Sequence, residues 1–149
     1  GEVIEAGAFT ALPDGRIAFT IGDVAGKGLD ASLLMVRTAT LLRWLGKEGG
    51  TPDRWLERVN VELAATVQRG SFVCAAAGYF DPRDGTVTWA NAGFTPALLR
   101  ADDASYTEFP AGGPPLGILA EAEFPVEQIQ LAGGSLWFFS DGVTDVRAK

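Results

Sequence analysis

Arg16-Ile17-Ala18-Phe19-Thr20-Ile21-Gly22-Asp23-Val24-Ala25-Gly26-Lys27-Gly28 is the stretch on which the reading of the fold turns. Ile17, Phe19 and Ile21 alternate with Ala18 and Thr20, the period of a half-buried strand. Gly22 to Gly28 reads as a Gly-rich loop carrying Asp23 and Lys27. From Leu29 to about Leu45 the chain is apolar nearly all round, with Leu33, Val36, Thr40 and Trp44 at helical spacing. That pattern predicts a helix packed over most of its surface. An aspartate is therefore expected at the end of a strand, in a tight turn that leads into a helix.

Working outward, Leu12-Pro13-Asp14-Gly15 is a turn signature before that strand. Gly46 to Gly50 ends the helix, and Thr51-Pro52 opens another, with Thr51 as N-cap and Pro52 at the first helical position. Trp55, Leu56, Val59, Leu63 and Val67 form its apolar stripe, closed by Gly70. Phe72–Phe80 and Thr86–Ala90 read as strands joined by the hairpin loop Asp81-Pro82-Arg83-Asp84-Gly85. Leu98–Arg100, Phe124–Leu131 and Leu136–Phe139 read as further strands. Two helices among many turn-linked strands predict an α+β fold with mostly antiparallel sheet. The tryptophans Trp44, Trp55, Trp89 and Trp137 sit in apolar periodic contexts and are expected in the core, as is Cys74, read as a buried, inert thiol.

Composition narrows the chemistry. The 149 residues suit one domain spanning 1–149, and 47% of them are hydrophobic. No apolar run is long enough to span a membrane, and the opening residues lack the pattern of a signal peptide. One cysteine excludes an internal disulfide framework and fits a reducing cytoplasm. A net charge of −7 argues against a nucleic-acid or anionic-membrane surface. The absence of histidine excludes Ser-His-Asp and Cys-His catalysis and histidine-ligated zinc. Any catalysis must run through carboxylates, lysine, a hydroxyl or bound metal.

Two segments could carry it. Gly22–Gly28 has two open readings: an ordinary strand-to-helix turn with solvated charges, or a rigidly held carboxylate whose neighbouring backbone carbonyls can help ligate a hard cation, with Lys27 and Gly26 able to approach a phosphate at the helix start. The loop misses the nucleotide-binding P-loop, with three residues between Gly22 and Gly26 and Gly28 where a Ser or Thr is needed. Ser140-Asp141-Gly142-Val143-Thr144-Asp145 again puts an aspartate after a hydrophobic strand. Two such aspartates can share hard divalent ions, which lower the pKa of water and neutralise phosphoryl charge. Asn91, in Trp89–Pro96, has two open readings: a hairpin bend satisfying local backbone, or a direct site role.

Taken in order, Leu12–Arg16, Ile21–Gly28, Asn91-Ala92-Gly93, Pro115-Leu116-Gly117 and Ser140–Asp145 resemble the bacterial branch of the PPM-type (protein phosphatase 2C-like) family. The branch is that of the sporulation stage II protein E and sigma-B regulator phosphatases. The resemblance implies a sandwich of two mostly antiparallel sheets flanked by helices. It implies a manganese- or magnesium-dependent protein phosphatase using two ions. Asp23 and Asp141 would ligate metal, helped by the Val24 carbonyl, with Glu5 as a further ligand where the family has its first aspartate. Expected substrates are phosphoserine or phosphothreonine on signalling proteins such as STAS-type anti-sigma-factor antagonists. An upstream sensor or receiver domain and a homodimer are admissible partners.

Three departures accompany the resemblance: Glu5 and Ala8 stand where the family has two aspartates, Phe94 stands where it has histidine, and the chain stops at Lys149. The sequence is therefore expected to lack a C-terminal strand and a last acidic ligand. These departures motivate a second expectation, a phosphatase-like binding or regulatory module with weak or no activity.

Overall fold

A computed structural model describes residues 2–26, 28–66 and 70–139, with side chains described for 7–25, 30–66 and 70–139. In chain order the elements are β1 Glu2–Ala11, β2 Ile17–Gly26, α1 Gly28–Glu48, α2 Pro52–Thr66 and β3 Phe72–Asp81. They continue with β4 Thr86–Ala92, β5 Ala97–Arg100, β6 Tyr106–Phe109, β7 Val126–Gln130 and β8 Ser135–Trp137. One sheet runs β1-β2-β3-β4-β7 and the other β6-β5-β8, and every strand pair is antiparallel. The α+β sandwich is as the sequence leads one to expect.

Alternation along β2 sorts its side chains onto two faces. Toward the helices, Val24 packs with Ala31, Met35 and Leu56, and a Cβ on Gly22 would lie 3.5 Å from Met35 Cε. Toward the second sheet, Phe19 meets Phe138 at 5.5 Å between ring centroids, beside Trp89, Val87 and Leu136. Asp23 falls on the face of Phe19, between the sheets. Both helices hold this layer: α1 buries Ala31, Met35, Leu42 and Leu45, and α2 buries Trp55, Leu56, Val59 and Leu63. Burying each such side chain stabilises by about 1.5–3 kcal/mol.

Several expectations are corrected. The Gly-rich segment is no loop up to Gly26: β2 runs through it because β1 and β3 pair with it on both sides, satisfying its backbone groups. The sequence carries no signal for β1 itself, since Ala6-Gly7-Ala8 blurs any alternation, nor for the exposed β6. Helix α1 is packed on one side only. Ala31, Met35, Thr38, Leu42 and Leu45 are buried at helical spacing, whereas Leu33, Val36 and Trp44 on the other side are 58%, 63% and 63% exposed. Trp55 and Trp89 are core, but Trp137 is half exposed on the outer face of the second sheet. Cys74 is only partly buried. Val67 lies outside the described residues. Among those described, no helix is long and apolar enough to cross a membrane.

Candidate functional site

The continuous register of β1, β2 and β3 creates the arrangement that matters. Glu5 is the partner of Asp23 on one side and Cys74 on the other, so the three occupy one row across the sheet. Residues directly opposite in antiparallel strands share a face, with Cβ atoms about 4.5–5.5 Å apart. Asp23 itself is 4% exposed. Burying an ionised carboxylate is costly unless charge or hydrogen bonds compensate it. Val24, one step on, buries its side chain completely on the helix side.

The same end of the sandwich is built by three tied segments. Asn91 is buried, donates from Nδ2 to the Thr95 carbonyl at 3.0 Å, and accepts from the Phe94 N–H at 2.8 Å. Its amide is thus engaged in its own turn, the first of the two readings open from sequence. That turn requires Gly93: its φ is 68°, and a Cβ there would sit 2.6 Å from Pro115. Phe94 is buried at 3% exposure and presents no polar group. The Thr95 hydroxyl donates to the Phe139 carbonyl, drawing the chain after β8 to this end. Finally, Leu116 and Val73 exchange two backbone hydrogen bonds of 3.1 and 2.7 Å, so Pro115-Leu116-Gly117 continues the sheet beside β3 where β4 has ended.

Of the residues singled out from sequence, Asp23, Val24 and Asn91 gather at this end, and Glu5 and Gly26 do so by their strand positions. Lys27 and Asp141 lie outside the described residues. Cys74, read from sequence as core, shares the row of Asp23; only strand register reveals this, and no local signal encodes it. Among the described residues, no three His, Cys, Asp or Glu side chains form a metal cluster. The donor chemistry nonetheless fits a hard ion, since a buried aspartate with a second acidic residue as register partner supplies oxygen ligands.

Two exposed-end carboxyls bind protons less readily than usual. Asp14 is held below the usual range by the Arg16 N–H and guanidinium, and Asp81 by the Arg83 guanidinium and N–H. Both flank the opposite ends of β2 and β3, where Arg16 also lies 4.2 Å over the Tyr79 ring. A groove of about 530 Å³ between α1 and α2, lined by Trp44, Leu45, Glu57 and Arg58 among others, touches none of the candidate residues.

Comparison with known proteins adds the following. Residues 13–149 match the family profile described as Stage II sporulation protein E (SpoIIE). The phosphoserine phosphatase RsbU of Bacillus subtilis is 27% identical over 135 residues, covering 89% of this chain and 40% of that protein. The solved RsbU and RsbW domains of Rv1364c from Mycobacterium tuberculosis superpose with a TM-score of 0.79 at 30% identity, over 92% of this chain and 39% of that one. The PP2C phosphatase domain of SpoIIE from Bacillus subtilis, solved with a fragment of its regulatory domain, gives 0.80 at 23% identity, over 97% and 44%, a likeness of fold. The chain spans 26 to 40% of the length of the curated relatives it matches.

Proposed function

The chain belongs to the Stage II sporulation protein E (SpoIIE) family, and from that premise we propose that it is a manganese- or magnesium-dependent protein serine/threonine phosphatase. The observation that carries the proposal is Asp23, buried between the sheets with Glu5 as its register partner. Asp141 is the second anchor. Phe139 is tied to Thr95 at the same end, and two further residues span at most about 7 Å. That tether supports a shared site for the two aspartates.

In this reading Asp23 and Asp141 hold the ions, aided by the Val24 carbonyl and Glu5. Paired divalent ions, when bound, supply Lewis-acid charge for the phosphoryl oxygens and lower the pKa of the attacking water. Lys27 and the Gly26 backbone attract the phosphate, while Asn91 shapes the adjoining turn rather than touching substrate. The substrate class is phosphoserine or phosphothreonine on a cytoplasmic signalling protein, with STAS-type anti-sigma-factor antagonists as leading candidates.

The rival reading, an inactive binding module, draws on Ala8 and Phe94. Strand register weakens the first motive. Ala8 pairs with Thr20 and so stands on the helix face, whereas Asp23, three residues on from Thr20, is on the other. An acid at position 8 would not join Asp23 on its own face. Hydrolysis of p-nitrophenyl phosphate with added manganese tests the proposal. Turnover should vanish with chelator and in Asp23→Asn and Asp141→Asn. Turnover that survives chelation, or survives both substitutions together, would refute it.

A further inference from the structure

Beside the candidate site, the turn 117–122 presents apolar side chains to solvent on an unusually firm support. Gly117 adopts φ 95°, and the Ala122 N–H closes the turn on the Leu119 carbonyl at 3.0 Å. Asn60 of α2 is fully buried, yet it spends both ends of its amide on this turn. Its Oδ1 accepts from the Gly117 N–H at 2.9 Å, and its Nδ2 donates to the Leu119 carbonyl at 2.7 Å. Leu116, immediately before, is buried and bonded to Val73. The two residues held up by this clamp, Ile118 and Leu119, are 58% and 48% exposed. Glu121 and Glu123 beside them are exposed as well.

Position gives the turn its meaning. Leu116, Val73 and Val24 lie side by side across the sheet, and the adjacent row holds Cys74 and Asp23. At about 4.8 Å per strand, Leu116 is about 10 Å from Val24. The turn therefore leaves the sheet at the end that carries Asp23, within reach of a protein segment whose phosphoserine is held there. Polar residues would serve a mere surface bend, and leaving two large aliphatic side chains in water forgoes about 25 cal/mol for every Å² left uncovered.

We propose that the turn 117–122 is a docking element for the phosphoprotein substrate, with Ile118 and Leu119 taking an apolar side chain near the phosphoserine and Glu121 and Glu123 favouring a basic flank. This rests on the phosphatase reading for the identity of the occupant. It makes recognition of the substrate protein a matter of the turn, separate from the chemistry at Asp23.

Two fluorescent phosphoserine peptide pools test it, one with flanking positions drawn from Leu, Ile, Phe, Lys and Arg, the other from Ser, Gly, Asp and Glu. Binding to the full chain with manganese is read by anisotropy, and turnover of p-nitrophenyl phosphate is read in parallel. The wild type should bind the apolar-basic pool about tenfold tighter, a difference of about 1.4 kcal/mol. Ile118→Ser/Leu119→Ser should bind both pools equally while keeping its p-nitrophenyl phosphate turnover. Equal binding by the wild type, a preference that persists in the double variant, or a parallel fall in small-substrate turnover would overturn the proposal. A wild type that binds with the stated preference but never hydrolyses p-nitrophenyl phosphate would sink the phosphatase reading and leave the docking element standing. Concentration-dependent self-association abolished by the same substitutions would instead assign the turn to a second copy and overturn it.

Discussion

Asp23 and Gly78 show how differently single residues declare themselves. Asp23 is legible from sequence because a strand pattern leads into it and glycines surround it. Of its neighbours on the sheet, Glu5 is named from sequence only through the family resemblance and Cys74 not at all, because both reach it through register, which no local pattern encodes. Gly78 lies in the unremarkable run Ala75-Ala76-Ala77-Gly78-Tyr79, yet a Cβ there would fall 2.2 Å from the Thr88 carbonyl and 2.7 Å from the Trp89 Cβ. Both are in strand β4, backbone and fully buried tryptophan that cannot yield. Gly78→Ala should therefore destabilise the fold by about 3 kcal/mol, at the upper end of overpacking costs. Urea denaturation at equilibrium will show it, and an unchanged midpoint would contradict the close approach of β3 and β4.

Among the elements, α1 is where the sequence misleads. Apolar residues circle it, so its periodicity cannot say which side meets the sheet, and Leu33, Val36 and Trp44 are indistinguishable in kind from Met35 and Leu42. Tertiary packing selects Ala31, Met35, Thr38, Leu42 and Leu45. Helix α2 is clearer, with a true apolar stripe and a Thr51-Pro52 start that the structure reproduces. The two helices yield a paired prediction. Trp55 is 2% exposed, bonds the Gly49 carbonyl at 2.8 Å and packs on Tyr79, so Trp55→Ala should cost about 3–5 kcal/mol. Trp44→Ala, on the exposed side, should change stability by less than about 0.5 kcal/mol. Thermal melts of the two variants measure the contrast, and equal losses would mean that α1 is packed on both sides.

At the scale of the whole molecule, the sandwich separates two ends with different electrostatics. The end away from Asp23 carries the pairs Arg16–Asp14 at 2.7 Å and Arg83–Asp81 at 2.9 Å. Both carboxyls are held below their ordinary value of 3.8. A depressed folded-state value means stabilisation that is fully present above the unfolded value and lost as pH falls through the folded one. Unfolding midpoints should therefore drop as pH falls below about 3.8, and Arg83→Ala should reduce that drop by the share of Asp81. An Arg83→Ala variant with the same acid dependence as the wild type would remove the pair from the account. Both pairs lie at the surface, so the effect is confined to this acid range and is screened by salt. The antiparallel two-sheet class was legible because turn signals separate its strands, while the order β1-β2-β3-β4-β7 depends on long-range pairing that the sequence does not display.

The opposite end carries the proposed metal site, and manganese binding interrogates it directly. Isothermal titration of manganese into the wild type, Asp23→Asn, Asp141→Asn and the surface control Asp84→Asn isolates the two carboxylates from general acidity. The account predicts that the wild type and Asp84→Asn bind alike, and that either site substitution abolishes the binding heat. Manganese isotherms that are the same for all four proteins would contradict it.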